Sequence, residues 1–246
     1  MTEKAIFCWS GGKDSARALY EARLEGKCEI VSLLTTITRD YDRVSMHGVR
    51  MTLIEEQARA LGLPLEKVFI SAGASDAEYE AQMRHKLEQF KRQGISSVIF
   101  GDIFLEDLRK YREDKLAQVG MRALFPIWKR DSSELARSFI ELGFKAFTVC
   151  VDSRILDESF VGRLIDERFL AELPPGTDPC GENGEFHSFV FDGPIFDKPV
   201  RFEKSEKVLR EGFWFCDLLP VTEIISTPED KTSKRSGRFA LSSGVS

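Results

Sequence analysis

The chain has 246 residues, 42% of them hydrophobic and 30% charged, enough for one large domain or two modest ones, each with its own core. That balance excludes a disordered, collagen-like or coiled-coil chain. Its 35 Lys and Arg against 40 Asp and Glu leave a net charge of −5, so no strong nucleic-acid binding is expected, because a grip on phosphates draws on a basic excess.

Cys8, Cys28, Cys150, Cys180 and Cys216 are odd in number and never spaced C-x-x-C. Neither a disulfide framework nor a structural zinc site is expected, and a reducing cytoplasm suits the chain. The first apolar run is too short for a signal-peptide core or a spanning helix, and no membrane partner is expected.

Residues 4–9 read as a short buried strand that turns through Ser10-Gly11-Gly12 into a helix carrying Ala16, Leu19, Tyr20 and Leu24 on one face, with Gly26 placed to end it. Residues 29–34 form a second apolar run, and 35–43 read as a polar loop. Leu53, Ile54, Gln57, Ala58 and Leu61 mark a second helix closed by Gly62. Residues 67–70 give a third strand, Tyr79, Met83, Leu87 and Phe90 a helix ending at Gly94, and residues 97–100 a fourth strand broken by Gly101-Asp102.

This alternation predicts a parallel α/β sheet with right-handed crossovers, whose ligand site lies beyond the carboxyl ends of the strands. The alternation weakens after Pro126. A helix at 133–142, a strand at 145–151, a helix at 160–170 and antiparallel strands at 187–191, near Val200 and near Phe213 predict a smaller α+β unit. The expected division is 1–126, 127–226 and a polar tail at 227–246. Phe189, Phe191, Phe196, Phe213, Trp214 and Phe215 are expected in the core rather than in a patch for a protein acceptor or a second copy.

Ser10-Gly11-Gly12-Lys13-Asp14-Ser15 is the first concentration of chemistry. Paired glycines expose backbone N–H groups, and a helix start turns its unpaired N–H groups and its positive dipole end toward any anion. Ser10 and Ser15 add hydroxyls, Lys13 a cation, and Asp14 a carboxylate for Mg²⁺ against phosphates. It is not a Walker loop, because Phe7 stands where the first glycine belongs and Asp14 where Ser or Thr follows the lysine. The hexapeptide resembles the PP-loop of the N-type ATP pyrophosphatases, which implies cleavage of ATP to AMP and pyrophosphate.

The second concentration runs from Asp178-Pro179-Cys180-Gly181-Glu182 through Asn183-Gly184-Glu185-Phe186-His187. Carboxylates, an amide and an imidazole on a turning segment suit a cation, an amine or ammonium, or a polarised carbonyl. With Ser188-Phe189-Val190-Phe191-Asp192-Gly193-Pro194, and with Gly101-Asp102-Ile103, Arg109 and Glu113, and Pro126-Ile127-Trp128, it resembles the diphthine–ammonia ligase family over residues 4–220.

The resemblance implies a HUP-type nucleotide-binding domain with helices on both faces and a smaller C-terminal α+β domain. It implies ATP and Mg²⁺, ammonium, and as acceptor the diphthine carboxylate of elongation factor 2 or a similar protein, with a homodimer as a further expectation. Ser188 stands where the family has Thr and keeps the hydroxyl. The chain is shorter than the extended eukaryotic members, which implies an archaeal or bacterial type.

Under the resemblance, Ser10, Gly11, Gly12 and Ser15 cradle the pyrophosphate, Lys13 neutralises it, Asp14 holds Mg²⁺, and Gly101 and Asp102 belong to the nucleotide site. Glu182 and Glu185 hold ammonium and accept its proton, while Asn183 and His187 orient the acceptor. Arg109 and Glu113, four apart, are as well placed for a surface ion pair as for the site. His47 is expected to lie apart from the nucleotide. The alternatives are a PP-loop tRNA-modifying enzyme, which the acidic balance and the cysteine pattern disfavour, and a nucleotide sensor without turnover, which has no use for the second motif.

Overall fold

The computed structural model describes residues 2–44 and 48–221. His47 and the tail at 227–246 lie outside the described residues. Strand β1 (Glu3–Cys8) pairs in parallel with β2 (Cys28–Thr38) on one side and with β5 (Ser97–Ile99) on the other. Strand β2 continues to β4 (Leu65–Ile70), and β5 to β6 (Arg122–Leu124), all parallel. The two-residue β3 (Arg43–Val44) lies antiparallel to Ile37 and Thr38. Chain order reverses between β1 and β5, and there the sheet opens at its carboxyl edge.

Side chains alternate across β1, so Ala5 and Phe7 join one core while Ile6 joins another. On the first face sit α1 (Lys13–Glu25), α2 (Met51–Ala60) and α5 (Ser132–Glu141), which contribute Leu19, Leu53, Ile54 and Phe139. On the other sit α3 (Asp76–Arg92) and α4 (Glu106–Gln118), which contribute Leu87, Phe90 and Leu116. Helices on both faces of a parallel sheet are as expected.

Local chemistry sets the helix ends. Gly26 closes α1 in a left-handed conformation at φ 60°, with its N–H on the Ala22 carbonyl. Ser75 and Asp131 cap α3 and α5 by accepting from Glu78 N and Glu134 N. Leu24 departs from its expected place: it is exposed, and the small Ala18 and Ala22 continue the buried face of α1.

The expected loop at 35–43 is largely strand. Thr35, Thr36, Ile37 and Thr38 pair with Lys67, Val68, Phe69 and Ile70, and three of these four residues are β-branched threonines, side chains that suit a strand. The helix at 160–170 is replaced by a short 3₁₀ turn at Glu158–Phe160 and a short α6 (Glu167–Ala171). Between them the chain runs extended beside a strand, Thr148 N donating to the Arg163 carbonyl and Gly162 N to the Thr148 carbonyl, at 2.9 and 2.8 Å.

That strand is β7 (Lys145–Asp152), which with β8 (Phe186–Asp192), β9 (Phe202–Arg210) and β10 (Phe213–Pro220) makes an antiparallel sheet of order β8-β7-β10-β9. Phe147 and Phe191 stack at 5.3 Å, with the Phe202 ring edge-on to both and to Phe189. None of the six questioned aromatics is exposed. Among the links that tie this sheet to the parallel one, Val190 N donates to the Gly11 carbonyl at 2.9 Å, Lys13 N donates to Ser188 Oγ at 3.1 Å, and Asp217 takes a two-pronged grip from Arg43 and further bonds from Arg50. Both guanidiniums hold the Asp217 carboxyl down at about 2 against the effect of its burial.

Candidate active site

Beyond β1, Trp9 N still bonds the Leu34 carbonyl at 2.8 Å, and then the chain swings away through Gly11 at φ 81°. A Cβ there would lie 2.6 Å from Ile54 Cδ1 and 2.8 Å from Gln57 Oε1, so the turn admits only glycine. Ser10 Oγ accepts from Gly12 N at 3.2 Å and meets Ser15 Oγ at 2.8 Å. Gly12, the N-cap of α1, has no side chain to offer, and the first helical N–H, at Lys13, goes to Ser188 Oγ. Gly101 has a similar reason, since a Cβ on it would press within 3.0 to 3.1 Å of the backbone at Ser15 and Asp14. The loop after β5 therefore lies directly against the start of α1.

The 178–187 segment is fastened from within. Asp178 Oδ1 accepts from Cys180 N at 2.9 Å. Glu185, only 3% exposed, accepts from Asp178 N, Asn183 N and Asn183 Nδ2 at 3.0, 3.0 and 3.1 Å. Burial alone would raise its carboxyl, yet these donors hold it below the usual range. Gly181 at φ 67° turns the chain close over the Phe186 carbonyl.

Glu182 then reaches across, its Oε1 accepting from Ile103 N at 2.8 Å. Burial, with the Asp14 charge adding to it, lifts Glu182 to about 7, against the pull of the Ile103 N–H. Burial and then the Lys13 charge push His187 down to about 4. At neutral pH the imidazole is uncharged and Glu182 exchanges a proton readily.

These pieces enclose one cleft of about 790 Å³ at the carboxyl ends of β1 and β5, within the range of small-molecule sites. Ser10, Asp14, Ser15, Gly101, Asp102, Glu182, Asn183 and His187 all border it. Gly11 and Gly12 do not line it: the Gly11 carbonyl accepts from Val190 N and Gln57 Nε2, and Gly12 N donates to Ser10 Oγ. Glu185 and Lys13 are not on its wall: Glu185 lies inside its own loop, and the Lys13 ammonium, 3% exposed, turns to Asp14 and the Cys180 carbonyl. Arg109 pairs with Glu113 at 2.8 Å and lies 4.7 Å over the Trp128 ring, also off the wall.

Sequence reasoning passed over four residues of the site. Arg112 holds Asp102 at 2.7 Å and lies 4.3 Å over Phe100; burial raises Asp102 in spite of that partner. Thr35 and Thr36 line the cleft from the end of β2. Gln57, fully buried, accepts from Trp9 Nε1 at 2.8 Å and donates to the carbonyls of Gly11 and Val190 at 3.0 and 2.6 Å. Its signal was there to read, a lone amide on an otherwise apolar helix face.

Gln57→Leu leaves Trp9 Nε1 and the Val190 carbonyl buried without partners, at about 1–3 kcal/mol each. Urea denaturation is expected to show a loss of about 2–6 kcal/mol by the same reckoning, whereas Gln57→Glu keeps an acceptor for Trp9 and loses the two donations.

Among the described residues no group of three His, Cys, Asp or Glu side chains can hold a metal ion, and no helix is long and apolar enough to cross a membrane. Asp14, whose two oxygens accept from Lys13 Nζ, borders the cleft with Ser10 and Ser15, and Asp102 and Glu182 border it as well. Magnesium carried by a nucleotide takes one or two protein carboxylates with phosphate and water. The donors therefore fit a nucleotide-borne Mg²⁺ and not an ion held by protein alone.

The diphthamide synthase N-terminal domain model matches residues 3–123 and the C-terminal domain model residues 131–223. Diphthine–ammonia ligase of Homo sapiens is 25% identical, with 96% of each chain covered, and that of Danio rerio 26% identical over 92% of this chain and 96% of the relative. The Schizosaccharomyces pombe enzyme of that name matches 92% of this chain but 40% of its own length. Length thus does not separate this chain from the vertebrate relatives, and the length argument for an archaeal or bacterial type falls away. A solved U34-tRNA thiolase, NcsA from Methanococcus maripaludis, aligns over 58% of each chain at 13% identity and a TM-score of 0.36, too slight a likeness to carry an assignment. With both domain models matched in order over most of its length, the chain belongs to the diphthamide synthase family.

Proposed function

We propose that the protein is an ATP-dependent carboxylate–ammonia ligase that amidates the diphthine carboxylate of elongation factor 2 or a similar acceptor. The observation that carries this reading is the single cleft bordered both by the anion-binding start of α1 and by Glu182, poised near neutrality. The curated relatives bear the matching name. A protein acceptor from the translation machinery accords with a cytoplasmic setting.

A carboxylate resists attack by ammonia because its oxygen leaves poorly. The acceptor oxygen bonds to the α-phosphorus of ATP and the bond to the β-phosphate oxygen breaks, releasing pyrophosphate. Ammonia then attacks the acyl carbon, AMP departs with the bonding pair, and the surplus proton goes to a base. Mg²⁺ accompanying the nucleotide neutralises phosphate charge.

The chain's own groups divide this work. The N–H groups at Gly11, Asp14 and Ser15, with the hydroxyls of Ser10 and Ser15, cradle the leaving pyrophosphate, while Gly12 N and Lys13 N are held by Ser10 Oγ and Ser188 Oγ. Asp14 would hold the Mg²⁺ that a nucleotide brings, and Gly101 and Asp102 shape the nucleotide wall. Glu182 holds ammonium and takes its proton. Neutral His187 and Asn183 orient the acceptor. Glu185 serves the same step by fixing the loop that carries Glu182, a positioning role. Residues 1–126 thus supply adenylation and 127–226 the amidation side.

The test incubates the protein with ATP, Mg²⁺, ammonium and diphthine-bearing elongation factor 2, and follows the acceptor by mass spectrometry. Amide in place of acid, dependent on ATP, is the expected result. Saturable ATP binding with no AMP in any combination of acceptor and ammonium overturns the ligase reading in favour of a sensor.

A further inference from the structure

We propose that Lys13 is a positioning residue for the amidation step: its ammonium pins the 178–187 loop to the start of α1 and so holds Glu182 in the cleft, rather than neutralising the triphosphate. The proposal deepens the ligase reading and rests on it for the role of Glu182. Three observations carry it, all of them geometric.

First, the ammonium is committed elsewhere. Lys13 Nζ donates to both oxygens of Asp14 at 2.8 and 2.7 Å and to the Cys180 carbonyl, and it lies 5.3 Å over the Phe186 ring. A buried cation needs such partners, and losing them is costly. Second, it faces away from the cleft, onto a void of about 10 Å³ bounded by Arg17, Ile127, Leu135 and Phe139. Asp14 borders both spaces, Lys13 only the small one.

Third, the same residue grips the loop at both ends. Its side chain holds the carbonyl of Cys180, two residues before Glu182, while its backbone N–H donates to Ser188 Oγ, just past His187. The chain between is turned by Gly181 and delivers Glu182 to Ile103 N. Only a side chain that donates can hold a carbonyl, and only a long one reaches it from α1.

Without the pin, the serines, Asp14 and the backbone cradle still bind the nucleotide and adenylation continues, but Glu182 no longer stands where ammonia must lose its proton. Water then attacks the acyl carbon of the adenylate, AMP leaves, and the carboxylate is regenerated. ATP is spent without amide.

The experiment compares Lys13→Met and Ser188→Ala with the wild-type full-length protein in three ways: ATP affinity by titration, hydrogen exchange of the peptide spanning 178–187, and the ratio of amide to AMP. For Lys13→Met the expected results are ATP affinity within about threefold of wild type, loop exchange faster by about tenfold or more, and an amide-to-AMP ratio lowered by about tenfold. Ser188→Ala, which removes the second grip and leaves the charges in place, is expected to move exchange the same way by about two- to fivefold. It carries the test should Lys13→Met not fold.

Affinity for ATP lowered by more than about tenfold with loop exchange unchanged assigns Lys13 to the phosphates and overturns the proposal. Binding and exchange need no acceptor. Faster loop exchange with intact ATP binding, in a protein whose wild type forms no amide, removes the ligase reading while the pinning role stands.

Discussion

Asp14→Ala is expected to abolish acceptor-dependent AMP formation, a fall of about 1000-fold or more. Asp14 borders the cleft with Ser10 and Ser15, and several kcal/mol of charge stabilisation by a correctly held metal converts to that factor. Truncation also strips the buried Lys13 ammonium of its ion-pair partner, so Asp14→Ala is expected to lose stability as well. Asp14→Asn separates the two effects, because its amide oxygen still accepts from Lys13 but carries no charge for the metal. A folded Asp14→Asn that makes AMP at the wild-type rate reduces Asp14 to a partner of Lys13 and removes it from the chemistry.

Glu182→Gln is expected to split the reaction. AMP formation survives, while amide formation falls by about 100- to 10,000-fold, the usual contribution of a positioned base. The wild-type amidation rate should rise with pH through about 7, as Glu182 loses its proton, and this limb should vanish in the variant. Equal loss of both products contradicts the division of labour.

The same group makes a stability prediction with a definite sign. Its folded pKa of about 7 lies above the unfolded value of 4.5, so the folded state binds more protons between those values and loses stability as pH rises through that window. Glu182→Gln should therefore stabilise the protein at pH 8, by up to about 3 kcal/mol, and hardly at all at pH 4. Denaturation at the two pH values reads this directly.

Much of this site was legible because its constraints are local. The Ser10–Ser15 run shows a strand-to-helix turn, and the structure adds why Gly11 admits no side chain: Ile54 and Gln57 fill the space. Alternating apolar patterns placed β1, α2, α5 and β7 nearly as they are. Helix α4 carried little signal, since Leu116 is its only buried residue. Residues 160–165 follow a partner distant in sequence, Thr148, which no helical period shows.

Side-chain direction was the other blind spot. Spacing brings Lys13 to the loop and Glu185 to the second motif, but only folding reveals that both turn inward. Lys13 goes to Asp14 and Cys180, and Glu185 to the N–H groups of its own turn. The sequence shows Gln57 in its helix, but its three partners come from two segments distant in the chain, Trp9 and Gly11 in one and Val190 in the other.

The central claim is that the acceptor carboxylate attacks the α-phosphate within this cleft. The most direct test labels both oxygens of that carboxylate with heavy oxygen and follows the label by mass spectrometry after reaction with ATP, Mg²⁺ and ammonium. One heavy oxygen in AMP for each amide formed, with none in pyrophosphate, is the predicted result. Heavy oxygen in inorganic phosphate with ADP as the co-product, or amide formed with unlabelled AMP, contradicts the account.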